Sequence, residues 1–74
     1  MVTDAELLDR LRSKHGSANI GGIDDYPGPE GGIGRFVKIY GLLVAYGDAY
    51  DDAVGPGAYE EGLRLEATKH AGAS

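Results

Sequence analysis

IYGLLVAYG, residues 39–47, holds no charge in a chain of 74 residues that is otherwise punctuated by charges and glycines. Its reading decides the fold. At about 100° per residue, Ile33, Phe36, Val37, Tyr40, Leu43, Val44 and Gly47 fall on one helical face. The opposite side begins polar, with Arg35 and Lys38, and turns apolar with Leu42, Ala45, Tyr46, Ala49 and Ala53. A helix apolar all round is buried on every side or meets a partner. A strand over 35–46 competes, because that stretch is rich in aromatic and β-branched residues. Length, and the alanines that continue the helical period, favour a helix over about 32–53. Gly41, Ala45, Ala49 and Ala53 then form a ridge of small residues where another helix can approach closely.

On the N-terminal side stands a well-signalled helix over 4–15. Thr3 is a good N-cap, and Glu6 follows three residues later to complete a capping box. Val2 and Leu7 have the spacing of a hydrophobic staple. Leu7, Leu8 and Leu11 make the apolar stripe. Lys14 and His15 suit the negative helix end, and Gly16 suits the cap. The segment 16–32, GSANIGGIDDYPGPEGG, reads as a long loop or arm anchored by Ile20, Ile23 and Tyr26, because its glycines and prolines interrupt regular structure. On the C-terminal side, Val54-Gly55-Pro56-Gly57 breaks the chain. A third helix over about 57–70 follows, with Glu60 and Glu61 near its start, Lys69 and His70 near its end, and a frayed tail at 71–74. The expected fold is all-α: one small three-helix bundle over residues 1–74.

Composition bounds the function. A chain this short buries only about 60% of its unfolded surface. It has no cysteine to staple a thin core, which fits a reducing compartment. Twelve acidic against seven basic residues give a net charge of −5, which argues against nucleic acid or an anionic membrane as partner. The longest uncharged run falls far short of the roughly 18–20 apolar residues of a membrane span. The first ten residues, MVTDAELLDR, do not have the pattern of a secretory signal. The expected location is the cytoplasm or an intracellularly assembled particle.

Candidate sites are few. Gly31, Gly32, Gly34 and Arg35 could hold an anion at a helix N-terminus, yet the segment matches neither phosphate-loop pattern, and Glu30 opposes an anion. Asp48, Asp51, Asp52, Glu60 and Glu61 cluster around the third break without the spacing of an EF-hand, so no metal or other cofactor is expected. His15 and His70 sit in the last turns of helices, and no serine or threonine lies in a nucleophile motif, so no catalytic residue is assigned. Five tyrosines in a small chain point to an interface, because the ring is large and the hydroxyl stays wet. Leu42, Ala45, Tyr46, Ala49 and Tyr50 form the expected contact surface.

The expected function is therefore a non-enzymatic interaction or assembly subunit. Its partner is itself, as a homo-oligomer, or a larger protein. Two alternatives stand beside this: a small acidic regulator that binds a larger basic protein, and a small-molecule or phosphate binder that uses the loop 28–35.

Overall fold

A computed structural model describes residues 2–28 and 31–73, with only the backbone of 69–73. It overturns the all-α expectation and the helical bundle. Three helices share the chain with a three-stranded antiparallel sheet.

Helix α1 spans Asp4–His15, as its signals require. The Glu6 N–H donates to Thr3 Oγ1 (3.2 Å), and that hydroxyl donates to Glu6 Oε1 (3.3 Å). Gly16 takes φ +93° and its N–H donates to the Arg12 carbonyl (2.8 Å). A single 3-10 turn, Ser17–Asn19, leads into strand β1, Ile20–Pro27. Strand β2 is Ile33–Ile39, and β3 is Leu42–Ala45. Helix α2, Tyr46–Val54, follows without a linker, and α3 spans Ala58–Ala73. The third helix thus runs three residues past its expected end, and Ser74 lies outside the described residues.

The expected helix over 32–53 is divided into two strands and a short helix. The divider is Tyr40-Gly41, at φ +52° and +77°. Positive φ at both central residues is the requirement of a type I′ hairpin turn, whose twist matches that of the strands it joins. The Tyr40 N–H is held by the Asn19 carbonyl (2.8 Å). Ile33, Val37, Ile39 and Val44 are β-branched, and Gly34 and Gly41 cost helix stability, so local preference also favours strand here.

The expected arm over 16–32 contains β1. The register runs Ile20↔Ile39 and then Ile23↔Val37, so β1 spends one residue more than β2: a bulge at Gly21 and Gly22. The bulge explains how Ile20 and Ile23, three apart, both serve the core side. Gly21 is required there, because a Cβ would stand 2.8 Å from Lys38 Cβ. At the end of this hairpin Gly31 has φ +87° and its N–H donates to the Gly28 carbonyl (3.1 Å).

The helices α1 and α2 pack together on one face of the sheet. Leu7, Leu11, Ile20, Val37, Ile39, Ala49 and Tyr50 form the core. The strand pairs place Leu42 and Val44 on this face, with Ile39 and Val37, and turn Leu43, Ala45, Lys38, Phe36, Asp24 and Tyr26 to the other. Among the described residues the third helix packs mainly on α2. It draws the molecule out to 43 × 31 × 19 Å, with a radius of gyration of 13.5 Å. A compact chain of this length has about 11 Å.

Candidate functional site

The five expected interface residues do not share a surface. Ala49 and Tyr50 point inward and are 0% and 4% exposed. Tyr46 opens α2 and is partly buried. Leu42 and Ala45 belong to β3 and are exposed, Leu42 at 68%. The small-residue ridge is dispersed: Gly41 is in a turn, Ala45 in a strand, Ala49 and Ala53 in α2.

Tyr46 is instead the centre of an internal cluster. Its hydroxyl donates to Asp4 Oδ1 (2.9 Å), and the Arg35 guanidinium lies 4.4 Å from its ring centroid and also binds Asp4 Oδ2. Burial, and then the bond to the Asp4 carboxylate, push the Tyr46 phenol up to about 12. A phenolate there would lose solvation and face a negative neighbour. Tyr50 and Tyr59 complete a ring cluster with Tyr46, at centroid distances of 5.6–6.3 Å. The Tyr50 hydroxyl accepts from the Val2 N–H (3.1 Å). Three of the five tyrosines thus hold the fold together.

The glycine-rich loop lies in a β-hairpin. No helix begins at 31–35, so no helix dipole supports an anion at Gly31, Gly32, Gly34 and Arg35, and Arg35 is held by Asp4 and Tyr46. Pro29 and Glu30 lie outside the described residues. Of the clustered acidic residues, Asp51, Asp52 and Glu61 are engaged. Asp51 Oδ1 accepts the Tyr59 N–H (2.8 Å) across the break and so caps α3 from the preceding helix. Among the described residues no group of three or more potential ligands could hold a metal.

A polar chain that the linear pattern does not show joins α1, α2 and the hairpin turn. His15 Nε2 lies 2.6 Å from Asp52 Oδ2, and His15 Nδ1 lies 3.1 Å from the Tyr40 hydroxyl. Lys14 Nζ donates to Asp52 Oδ1 (2.6 Å) and to the Asp52 carbonyl (2.8 Å). The Lys14 hydrogen bond, with His15 beside it, holds the Asp52 carboxyl below the usual carboxylate range. Carboxylate, imidazole and phenol in series have the parts of a proton relay. Both imidazole nitrogens face groups of the fold itself, which makes the chain a tether between elements. The side chain of His70 lies outside the described residues.

Asp24, Asp25 and Asp48 are exposed, and so are several large apolar side chains. Ile33, Leu42, Leu65, Tyr40, Leu43, Leu63 and Val54 are large and exposed, with Ile33 at 80%. Leu43 and Ala45 stand at the edge of the open sheet face, next to Phe36, whose ring meets Tyr26 edge-on. No helix among the described residues is long and apolar enough to cross a membrane. The chain matches no protein-family model, no curated protein and no solved structure.

Proposed function

We propose that the chain is a non-enzymatic interaction subunit that associates with itself, as part of an intracellularly assembled complex. The carrying observation is a set of large apolar side chains left at the surface. Asp4, Lys14, His15, Arg35, Tyr46, Asp51 and Asp52 are used within the fold, while Ile33, Leu42 and Leu43 face outward. Leu42 and Leu43 stand side by side on β3, and apolar residues exposed together at one sheet edge suit an association surface. A reading as an acidic regulator draws less support, because Asp4, Asp51 and Asp52 are occupied by partners of their own.

Light scattering on a sizing column tests the proposal at low and high salt. A discrete oligomer that persists in salt is expected, because apolar contacts are not screened. A folded monomer at every concentration overturns it.

A further inference from the structure

The two edges of the sheet differ in kind. β1 carries Asp24, Asp25, Pro27 and a bulge. Charge, proline and bulges are the devices by which natural sheets prevent edge pairing. β3, with the sequence LLVA, has no charge, proline or bulge, and its register with β2 is unbroken; its four-residue length is its one protection. Ala45, the last residue of β3, is also the N-cap of α2, so the free edge is Leu42–Val44.

We propose that β3 is where a second copy of this chain adds, antiparallel, to join two three-stranded sheets into one of six strands. The inference rests on the self-associating function proposed above and gives it a contact. Charge selects the occupant. Each copy bears −5, so two copies repel wherever their acidic groups meet. Pairing β1 with β1 would oppose Asp24 and Asp25 to their counterparts. The uncharged run 39–47 lets two copies meet without that opposition. A basic partner would be drawn to the exposed Asp24, Asp25 and Asp48 rather than to an uncharged edge.

The faces select the register. A two-fold axis perpendicular to the sheet keeps helices on the same side in both copies, so opposed residues must share a face. With the axis at Leu43, Leu43 opposes the partner's Leu43, and Leu42 opposes the partner's Val44 on the helix side. This covers Leu42, now 68% exposed. With the axis at Val44, Leu42 would meet the partner's Tyr46, which already belongs to α2. A pairing of four-residue strands is small beside the roughly 1,200–2,000 Å² of a standard interface, so the dimer should dissociate on dilution.

The experiment is molar mass against concentration, by light scattering and native mass spectrometry, for the wild type, Leu43→Lys, Leu43→Glu and an equimolar mixture of the two variants. The wild type should rise from 7.7 kDa toward twice that mass. Each variant alone should stay monomeric, because like charges face across the axis, and the mixture should recover a dimer with one copy of each. Circular dichroism checks that the variants fold; Leu43→Glu pairs across strands with Lys38 of its own β2. Leu42→Glu, at an already exposed position, repeats the loss of dimer independently. A wild-type oligomer that all three substitutions leave intact overturns the β3 contact and leaves self-association standing. Variants that lose the dimer singly but fail to recover it as a mixture overturn the register. A wild type monomeric throughout overturns both this inference and the function it rests on.

Discussion

Gly47 lies against the ring of Tyr59. A Cβ at Gly47 would stand 2.8 Å from Tyr59 Cδ2 and 3.1 Å from Cε2. That contact seats α3, because Tyr59 is in its first turn and Gly47 is in the first turn of α2. Glycine inside a helix is unfavourable by itself. Here the missing side chain is the space that the Tyr46, Tyr50 and Tyr59 cluster occupies.

Gly47→Ala should therefore destabilise the protein despite alanine's better helix propensity. Overpacking costs about 1–3 kcal/mol. The propensity gain returns at most about 1 kcal/mol. A net loss of about 1 kcal/mol lowers the melting temperature by roughly 4–8 °C in a domain of this size. A thermal melt with near-ultraviolet dichroism of the tyrosines measures both effects, and a raised melting temperature would show that the Tyr59 ring moves aside freely.

Asp52 makes stability depend on acid. Its carboxyl is held low by the Lys14 hydrogen bond first, with His15 adding to it. A depressed carboxyl binds its proton less readily in the folded state than in the unfolded one. Its contribution is therefore present above the unfolded value of 3.8 and is lost as pH falls through the lower folded value. Asp52→Asn should cost about 1–2 kcal/mol near neutrality, the range for a charged hydrogen bond discounted for partial exposure. Denaturant titrations of both proteins, at neutral pH and below 3.8, should show the difference shrinking in acid.

The parts of the fold legible in the sequence are those written locally. Thr3, Glu6, Leu7, Leu11 and Gly16 specify α1 at short spacing, and its bounds follow. The run 33–46 is ambiguous because its apolar residues satisfy a period of two as well as 3.6. Only the Tyr40 and Gly41 dihedrals resolve it, and Tyr-Gly is a weaker hairpin signal than Asn-Gly. Ala49 and Ala53 do signal a helix, but it begins at Tyr46. In β1 the bulge disguises the strand, since it shifts Ile20 and Ile23 from alternate to three-residue spacing. The His15–Asp52 contact spans 37 positions and depends on how α1 meets α2, which no local pattern encodes. Of the expected interface, Leu42 and Ala45 remain at the surface, and Ala49 and Tyr50 enter the core because the helix they were placed on begins later.

Tyr46 should ionise late. Its phenol is pushed to about 12, against an ordinary value of 10.0. The folded state holds this proton more tightly, so the contribution to stability is complete below 10.0 and is lost as pH rises toward 12. Phenolate absorbance followed through that window should show one late step, and Tyr46→Phe should abolish it. The same substitution removes the hydrogen bond to Asp4 and should cost about 1 kcal/mol. Amplitude lost near 10.0 rather than near 12 in Tyr46→Phe would show that the hydroxyl does not reach Asp4.

The N-cap offers the simplest check on α1. Thr3 Oγ1 accepts the Glu6 N–H and also donates to the Glu6 carboxylate. Thr3→Ala leaves the N–H to water and should cost about 1 kcal/mol. Thr3→Ser and Thr3→Asp keep an acceptor at the same place and should lose only a few tenths of that order. The helix carries Leu7 and Leu11, both fully buried, so fraying of its first turn loosens the core from one side. Hydrogen exchange at Glu6 and Leu7 reports this directly, because the Leu7 N–H bonds to the Thr3 carbonyl at 2.9 Å. Faster exchange at those two amides in Thr3→Ala, with slower rates kept in β2, is the expected pattern. Equal acceleration across α1 and β2 would mean that the cap governs global unfolding rather than the first turn alone.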